Sequence, residues 1–539
     1  MPEPLVWTIA LAPFAFAFAG VAPGNSPAAR NRLALGVAFL AFAIALGAAV
    51  AVALHGPLLT GTLGTAGIGV SLYLDRLSAT MFCLVSLVGL VVVAYSRNYL
   101  DGDPGQTRFT RFLCLTLAAI LTVIVAGNLF LLILAWIGTS MGLHRLLLFY
   151  PDRPGAVIAA RKKFVASRLG DLCLIVAAAA IYRTFGSLDY GAMFSGAQAL
   201  RNAGNVPAAI HGIALLLVCA AMLKSAQFPL HGWLTEVMET PTPVSALLHA
   251  GIINAGGFLV LRLSNVISLS LPSLDTLAIV GGFTALFGSI VMLTQTSIKV
   301  ALAYSTVAQM GYMMLECGLG AFPAALLHIV AHSFYKAHAF LSSGSVIDIA
   351  RTSWTPSPGG KPHPARLTFA IAGVLIVAFV IGRLFGASLE QKPGVFAFGA
   401  VLMLGLIHLV SNGIDERPNL YVVARILAFA ALVGIAFFGL QAGVERLADG
   451  SLPQTQPLRG PAEFAIVAVV VLSFAVVTFF QDQLRTQAGE PRLQALYAHV
   501  SNGFYVNTIA NRLILRYWPS LPPDASSARG SSTASLPLS

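Results

Sequence analysis

Hydrophobic stretches of about 20 residues, the length that a helix needs to cross the hydrocarbon core of a bilayer, follow one another along most of the chain. The pattern predicts about 13 to 15 transmembrane helices and an all-α, polytopic membrane protein, because a helix satisfies its own backbone polar groups in lipid. The predicted helices begin near Leu5, Leu33, Tyr73, Phe112, Leu129, Phe164, Ile210, Val244, Leu274, Ile298, Ala324, Leu367, Val395, Tyr421 and Phe464. The polar gaps between them are too short for a soluble catalytic domain, which usually needs about 50 residues or more.

The composition agrees with a membrane protein. Hydrophobic residues make up 57% of the 539 residues and charged residues only 10%, whereas soluble domains carry roughly 25% charged residues. The five cysteines lie in hydrophobic stretches without CxxC spacing, so they predict neither a zinc site nor an iron–sulfur site. The end of the chain, from Pro519 to Ser539, is rich in proline and serine and is predicted to be disordered.

The net charge of +11 comes from basic residues in short loops, which predicts an orientation in the membrane and not a nucleic-acid surface. Basic residues favour the cytoplasmic side, and the loop from Gly56 to Ser71 carries no charge. An outside N-terminus and a cytoplasmic C-terminus satisfy all of the loops. This orientation rests on the basic residues Arg30, Arg32, Arg153, Arg161, Lys162, Lys163, Arg351, Lys361, Arg366, Arg485, Arg492, Arg512 and Arg516.

Lys224 is the first candidate functional residue, because it follows an unbroken hydrophobic stretch that places it near the bilayer midplane. Charged residues at that depth are costly and often mark ion paths. Pro229 predicts that the helix breaks between Lys224 and Trp233, and such breaks occur in protein interiors or wet cavities. Burial disfavours the charged form of an amine, so Lys224 is predicted to take up and release a proton. The alternative is a lysine that extends to the membrane surface beside a packing kink.

A row of three titratable residues, His328, His332 and Lys336, lies on one helix face because the residues are spaced four apart. At the rise of a helix the row is about 12 Å long. Histidine exchanges protons near neutral pH, so the row predicts a proton path. A histidine metal site is the alternative, although no carboxylate or cysteine lies within two turns to complete it.

Four further residues are candidates near the broken helix. His249 directly follows the break along the chain and is predicted to continue the path. Lys299, at a helix start on the cytoplasmic side, is either an interfacial anchor or a proton exit. Glu236 and Glu239 close the broken helix at the same face, either as solvated loop carboxylates or as groups that exchange protons with Lys224, and Glu236 is preferred for that role.

Arg168 and Asp171 are spaced i, i+3 and can therefore pair on one helix face. The pair is predicted to be structural, although either member can modulate a neighbouring titratable group.

Four sequence blocks lie between Lys224 and Ser345. They are KSAQFPL from Lys224, PTPVSALLHA from Pro241, IKVALAYSTVAQMGY from Ile298 and HIVAHSFYKAHAFLSSGS from His328. In this order they resemble the antiporter-like subunits of respiratory complex I and of the Mrp sodium/proton antiporters. The similarity extends more weakly over about residues 70 to 350. It implies two inverted repeats of five helices, each with one broken helix, a pattern known from other transporters.

The resemblance also implies roles for individual residues. The lysine that matches Lys224 is the central proton carrier of that family. The residues that match His249, His328, His332 and Lys336 continue a proton path along the membrane midplane. The chain is accordingly expected to be a transport subunit, with any catalysis in a partner.

One position departs from the family pattern. The family has a Trp-Glu pair whose glutamate modulates the central lysine, whereas here Ile137 follows Trp136. An aliphatic side chain cannot pair with Lys224, so the lysine is predicted to be neutral more of the time or to use His144 or Asp171 as its partner.

A second departure concerns the later half of the chain. The segment from Leu367 to Ala387 lacks the family's central proline and lysine, and Arg383 is its only charge before Glu390. The second repeat is therefore predicted to be partly degenerate. The predicted organisation is N-terminal transmembrane helices in 1–110, a first repeat in 111–264, the second repeat in 265–415, C-terminal transmembrane helices in 416–482 and a cytoplasmic tail in 483–539.

These departures fit best a shorter branch, the DabB-type membrane subunits of a two-component inorganic-carbon accumulation system. That resemblance implies a bacterial inner membrane, no cofactor in this chain, and a complex with a soluble, carbonic-anhydrase-like (DabA-like) subunit that holds zinc. Flow of protons or sodium through the membrane subunit would drive hydration of CO₂ to bicarbonate in the partner. The alternatives are a proton-pumping subunit of a complex I or membrane hydrogenase relative and an Mrp-type antiporter subunit.

Overall fold

The computed structural model describes residues 3–23, 26–344, 372–373, 376, 379–386, 392–413, 420–455, 460–486 and 490–519. Helices make up almost all of the regular structure in these ranges, so the predicted all-α class is confirmed. Ten of the described helical segments are long and apolar enough to cross a membrane. The chain is a multi-pass membrane protein.

The first half of the chain forms helices α1 to α9, with two small sheets between α3 and α4. The helices are α1 (Glu3–Val6), α2 (Leu11–Val21), α3 (Pro27–His55), α4 (Arg76–Tyr99), α5 (Gln106–Val125), α6 (Leu129–Leu147), α7 (Pro154–Phe185), α8 (Tyr190–Ala203) and α9 (Ala208–Lys224), with a 3₁₀ turn at Trp7–Ala10. The strands are β1 (Leu58–Leu59), β2 (Leu63–Thr65), β3 (Ile68–Val70) and β4 (Tyr73–Leu74).

The second half contains several short helices followed by long ones. The helices are α10 (Gly232–Thr235), α11 (Thr242–Ala250), α12 (Ala255–Arg262), α13 (Ser264–Ile267), α14 (Leu271–Met292), α15 (Ile298–Gly318), α16 (Phe322–Leu341), α17 (Pro393–Gly413), α18 (Leu420–Leu447), α19 (Pro461–Thr486), α20 (Pro491–Ser501) and α21 (Val506–Tyr517). Short 3₁₀ turns lie at Val237–Glu239, Ile252–Asn254 and Gly503–Tyr505.

The predicted starts agree with these helices, with one large difference in position. The start near Leu367 lies outside the described residues, and the other fourteen fall in a described helix or within one turn of one. The start predicted near Phe164 is wrong by ten residues, since α7 begins at Pro154. Proline is favoured in the first helical turn because its missing N–H has no partner there in any case. The division into repeats stays a prediction.

The hydrophobic pattern did not predict the small sheets. Strand β1 pairs with β4, and β2 pairs with β3 in a tight antiparallel hairpin. Gly64 has a φ of +151°, and a Cβ atom there would lie 2.1 Å from the carbonyl oxygen of Ile68. The hairpin therefore requires glycine at this position.

Close helix contacts surround the broken helix. At Gly256 in α12, a Cβ atom would lie 2.2 Å from the Ser225 hydroxyl and 2.4 Å from the Ala221 carbonyl oxygen. Small residues allow helix backbones to approach closely in membranes. The absence of a side chain at Gly256 thus lets α12 pack directly against the end of α9, where Lys224 lies.

Candidate functional site

The helix that carries Lys224 ends at that residue, as predicted. Helix α9 stops at Lys224, and the chain becomes helical again only at Gly232. The Lys224 side chain is buried, with 6% exposed. Its Nζ atom donates a hydrogen bond to the Ser140 hydroxyl (3.0 Å) and lies 4.4 Å from the centre of the Trp136 ring. The amine therefore faces the protein interior, and the geometry does not support a lysine that extends to the membrane surface.

A second lysine reaches the same serine. Lys163, on α7, is 3% exposed, and its Nζ donates a hydrogen bond to the Ser140 carbonyl oxygen at 2.7 Å. The sequence interpretation had placed Arg161, Lys162 and Lys163 among loop charges. That placement is wrong, because the early start of α7 puts all three in its third turn, where they are buried.

Ile137 has no polar group to offer Lys224, and the hydroxyl that Lys224 contacts belongs to Ser140, one turn further along α6. Among the described residues, no carboxylate lies within 4.0 Å of Lys224 Nζ. Asp171 forms a 2.6 Å ion pair with Arg168 on the same helix. Its charge acts at longer range on both Lys163 and Lys224.

His144, the other proposed partner of Lys224, lies nearer to Lys163. It is half-buried on α6, its ring centre lies 5.6 Å from that of Phe164, and it interacts electrostatically with Lys163. Whether His144 or Asp171 modulates Lys224 stays a prediction.

A small cavity lies between Lys224 and the next break in the helices. Its volume is about 10 Å³, which is the space that one water molecule needs, and Lys224, Trp136, Thr139 and Gly251 are among the residues that line it. Gly251 is the point at which α11 gives way to the 3₁₀ turn before α12. Residues at both helix breaks, Lys224 and Gly251, thus line the same cavity.

Asn254, in this second break, ties the segment to α16. Its Nδ2 atom donates to the Ser333 hydroxyl (2.8 Å) and to the Ala250 carbonyl oxygen (3.1 Å). All three residues are buried. The second break therefore has its own polar partners inside the protein, as a broken helix in lipid requires.

His249 and Lys336 meet at one turn of α15. The His249 Nδ1 atom lies 2.9 Å from the Thr306 hydroxyl oxygen, and this hydroxyl in turn donates to the Leu302 carbonyl oxygen at 3.0 Å. Lys336 Nζ donates to the same carbonyl oxygen, also at 3.0 Å. Both His249 and Lys336 are completely buried. The two titratable residues are thus connected through one threonine and one carbonyl group.

His332 and His328 continue this arrangement along α16. His332 is buried and interacts with both His249 and Lys336. The His328 and His332 rings lie 6.2 Å apart, and His328 Nδ1 lies 3.1 Å from the carboxylate of Glu316 on α15. The predicted row on one helix face is therefore present, and Glu316 is a carboxylate partner that sequence spacing did not reveal.

The alternative of a histidine metal site finds no ligand set. Within the part of the chain that the structure describes, no group of three or more His, Cys, Asp or Glu residues could hold a metal ion.

Glu236 lies at one end of the broken helix in a cluster with the C-terminal segment. Its carboxylate forms a 2.5 Å ion pair with Lys162 and accepts hydrogen bonds from the side-chain amides of Asn507 and Asn511. Arg161, one residue before Lys162, donates to the carbonyl oxygen of Trp518. Helix α21 therefore covers the Glu236 end of the broken helix.

Glu239 and Lys299 have structural partners near the same end. The Glu239 carboxylate accepts a hydrogen bond from the Ala156 backbone N–H in the first turn of α7, where a negative charge is favourable. Lys299 Nζ lies 3.4 Å from the Thr242 hydroxyl at the start of α11. This position is compatible with both predicted roles of Lys299, an interfacial anchor and a proton exit.

Comparison with known families gives two matches. Residues 126–355 match the family described as "NADH:quinone oxidoreductase/Mrp antiporter, TM". Residues 62–110 match "NADH-Ubiquinone oxidoreductase (complex I), chain 5 N-terminus".

Several known proteins are similar in sequence. The "Probable inorganic carbon transporter subunit DabB2" of Halothiobacillus neapolitanus is 40% identical, over 84% of this chain and 82% of that protein. The corresponding DabB protein of Hydrogenovibrio crunogenus is 35% identical, over 83% and 84%. The NADH-quinone oxidoreductase subunit L of Mycobacterium tuberculosis is 38% identical, over 57% of this chain and 49% of that one.

Two solved structures share the fold. A chain of the Mrp complex from Dietzia sp. DQ12-45-1b superimposes with a TM-score of 0.60 at 23% identity, over 99% of this chain and 61% of that chain. A chain of an archaeal membrane-bound sulfane sulfur reductase gives a TM-score of 0.58 at 19% identity, over 94% and 99%.

Proposed function

Because the chain belongs to the NADH:quinone oxidoreductase/Mrp antiporter family of membrane subunits, we propose that it conducts protons through its interior from the Lys224 region to the row His328, His332 and Lys336. It is a transport subunit, like its relatives, and not an enzyme. His249 stands between the two ends of this path.

The observation that carries the proposal is the burial of connected titratable groups. Lys224, His249, His332 and Lys336 are all buried, and ionisable residues inside membrane-spanning segments are costly and usually functional. Lys224 lines one small cavity with Gly251, the residue after the helix of His249, and His249 and Lys336 meet through Thr306 and the Leu302 carbonyl group. Amines and imidazoles exchange protons readily but are poor ligands for sodium, which needs oxygen atoms, so the proposed ion is the proton.

The process driven by this conduction is proposed from the relatives. Two relatives that match over most of their length are named as inorganic carbon transporter subunits. We propose that this chain likewise works in the bacterial inner membrane, with its N-terminus outside and its C-terminus in the cytoplasm. A soluble DabA-like partner that holds zinc would hydrate CO₂ to bicarbonate, and proton flow through this chain would make the accumulation one-way.

A second candidate is a pumping subunit of a complex I or Mrp-type assembly. The similarity to subunit L and the Mrp fold favour it. The coverage argues for the first candidate, because the chain spans only 49% of the subunit L protein but 82% of the DabB2 protein.

The experiment that separates the candidates is purification of the full chain from its native membrane, followed by mass spectrometry and metal analysis. We expect one large zinc-containing partner. Recovery of iron–sulfur and quinone-binding subunits, or of small Mrp proteins, would contradict the inorganic-carbon proposal. In the same cells, an uncoupler should stop bicarbonate accumulation, whereas a sodium ionophore alone should not.

A further inference from the structure

The strongest unexplained feature of the site is that two buried lysines from different helices converge on one serine. Lys163 comes from α7 and Lys224 from the end of α9, and Ser140 on α6 accepts a hydrogen bond from each. The Ser140 hydroxyl oxygen accepts the hydrogen bond from Lys224, and the Ser140 carbonyl oxygen accepts the one from Lys163. Both amines are excluded from solvent.

The charges around the two amines do not balance two ammonium groups. Asp171 and Arg168 act on both lysines, and His144 acts on Lys163. Asp171 is already in contact with Arg168 at 2.6 Å, so one negative charge faces three basic side chains. Like charges close together in a medium of low dielectric constant disfavour the doubly charged state. One proton shared between the two amines leaves the cluster with a smaller net charge.

We propose that Lys163 and Lys224 form a two-amine unit that carries a single positive charge, and that arrival of a proton at Lys163 expels the proton from Lys224 toward His249. This inference rests on the proposed proton conduction. In each cycle, an N–H bond forms at the neutral Lys163 amine and an N–H bond breaks at the Lys224 ammonium, whose proton leaves toward His249. The proton on Lys163 then passes to the neutral Lys224 amine, which restores the starting state. The charge of the pair is the same before and after. Lys163 then controls Lys224 by repulsion, where a carboxylate at position 137 would have controlled it by attraction.

The Glu236 cluster offers a supply of protons for Lys163. Lys162, the neighbouring residue, forms the 2.5 Å ion pair with Glu236. Helix α7 therefore carries one buried lysine that faces the end of the path and a second that faces its centre. Lys162 and Lys163 thus extend the proposed path from Lys224 to Glu236, although Lys224 itself has no carboxylate beside it.

The test compares Lys163→Gln with Lys163→Arg in membrane vesicles that contain the full chain and its native partners. Proton flux is measured as a function of pH. Both variants should conduct more slowly, because neither side chain takes up and releases a proton. Without the neighbouring charge, Lys224 holds its proton more strongly, so the remaining flux of Lys163→Gln should reach half its maximum at a higher pH. A permanent charge in Lys163→Arg should move this pH downward. Each shift should be on the order of one pH unit.

A matched control is Arg183→Gln, which removes one exposed positive charge from the end of the same helix and should shift nothing. Shifts of the two Lys163 variants in the same direction would indicate a structural role and overturn the proposal. Wild-type profiles in both would also overturn it. Lys224→Met in the same vesicles distinguishes failure of the two-amine proposal from failure of proton conduction. Normal flux in that variant would overturn proton conduction through Lys224 itself.

Discussion

His249 and Thr306 form a buried hydrogen bond of 2.9 Å between the imidazole Nδ1 and the threonine Oγ1. The threonine hydroxyl has one proton, which it donates to the Leu302 carbonyl oxygen. It must therefore accept the proton of Nδ1, so that His249 carries its hydrogen on Nδ1 and keeps the lone pair of Nε2 available. The buried Nε2 atom has no hydrogen-bond partner among the described residues. His249 is thus prepared to accept a proton at Nε2.

The first prediction follows from this bond. Thr306→Val keeps the shape of the side chain but removes the hydroxyl, so the imidazole loses its orientation and its fixed tautomer. We expect proton flux to fall by about tenfold or more, the equivalent of one hydrogen bond to a group that becomes charged. The measurement is proton flux in membrane vesicles.

Thr306→Ser is the matched control, because it keeps the hydroxyl and should keep most of the flux. Equal losses in the serine and valine variants would show that the methyl group, and not the hydrogen bond, matters at this position.

The second prediction concerns Ser140. Ser140→Ala removes the hydroxyl that accepts from Lys224 but leaves the carbonyl oxygen that accepts from Lys163. A hydrogen bond to a charged group contributes about 1.5–3 kcal/mol, so flux should change by about tenfold to a hundredfold. Thr116→Ala on α5 is the control, since the Thr116 hydroxyl donates to Phe112 in its own helix and the residue does not line the cavity beside Lys224. Equal effects of the two substitutions would contradict a specific role for the Ser140 hydroxyl.

Much of the path could be predicted from the sequence, because its main residues are charged groups inside hydrophobic stretches. Lys224 before Pro229, and the four-residue spacing of His328, His332 and Lys336, each gave a local signal. The break after Lys224 was found where proline chemistry requires it.

The partners of these residues could not be predicted, because they come from distant parts of the chain. Ser140, Thr306 and Glu316 are polar residues within helices. Only the contacts of α6 with α7 and α9, and of α15 with α11 and α16, bring them to the path. Lys163 was read as a loop charge because the hydrophobic stretch after it suggested a later helix start. Proline at position 154 was the available signal for the earlier start.

A third prediction concerns the stability that a buried ion pair gives to the protein. Arg262 forms two hydrogen bonds to the Asp75 carboxylate, at 2.9 and 2.8 Å, with both side chains almost fully buried. Asp75 also caps α4 through the Ser78 N–H. Removal of one partner leaves a buried charge without compensation, so Arg262→Met should lower the free energy of unfolding by about 3–5 kcal/mol.

Thermal unfolding of the purified protein measures this loss. The double variant Asp75→Asn with Arg262→Met should recover part of it, because no unpaired charge remains. If the double variant is less stable than Arg262→Met by the full effect of Asp75→Asn, the two residues do not act as a pair.

A fourth prediction concerns the attachment of the C-terminal segment. Asn511 donates a 2.7 Å hydrogen bond to Glu236, whereas Asn502 bonds within its own segment to Ala498. Asn511→Ala should therefore increase hydrogen exchange of the backbone amides of α21 by about tenfold, and Asn502→Ala should leave α21 unchanged. Unchanged exchange of α21 in the Asn511 variant would show that this contact does not hold the segment in place.

The central claim is that the Lys224 amine is charged and discharged during transport, and the most direct measurement is proton flux through vesicles that contain the full complex with Lys224→Met. Methionine keeps the length and the packing of the side chain but cannot bind a proton. The account predicts that the complex assembles normally, that flux falls to the level of vesicles without the protein, and that Arg183→Gln conducts as the wild type does. Wild-type flux through a correctly assembled Lys224→Met complex would contradict the account.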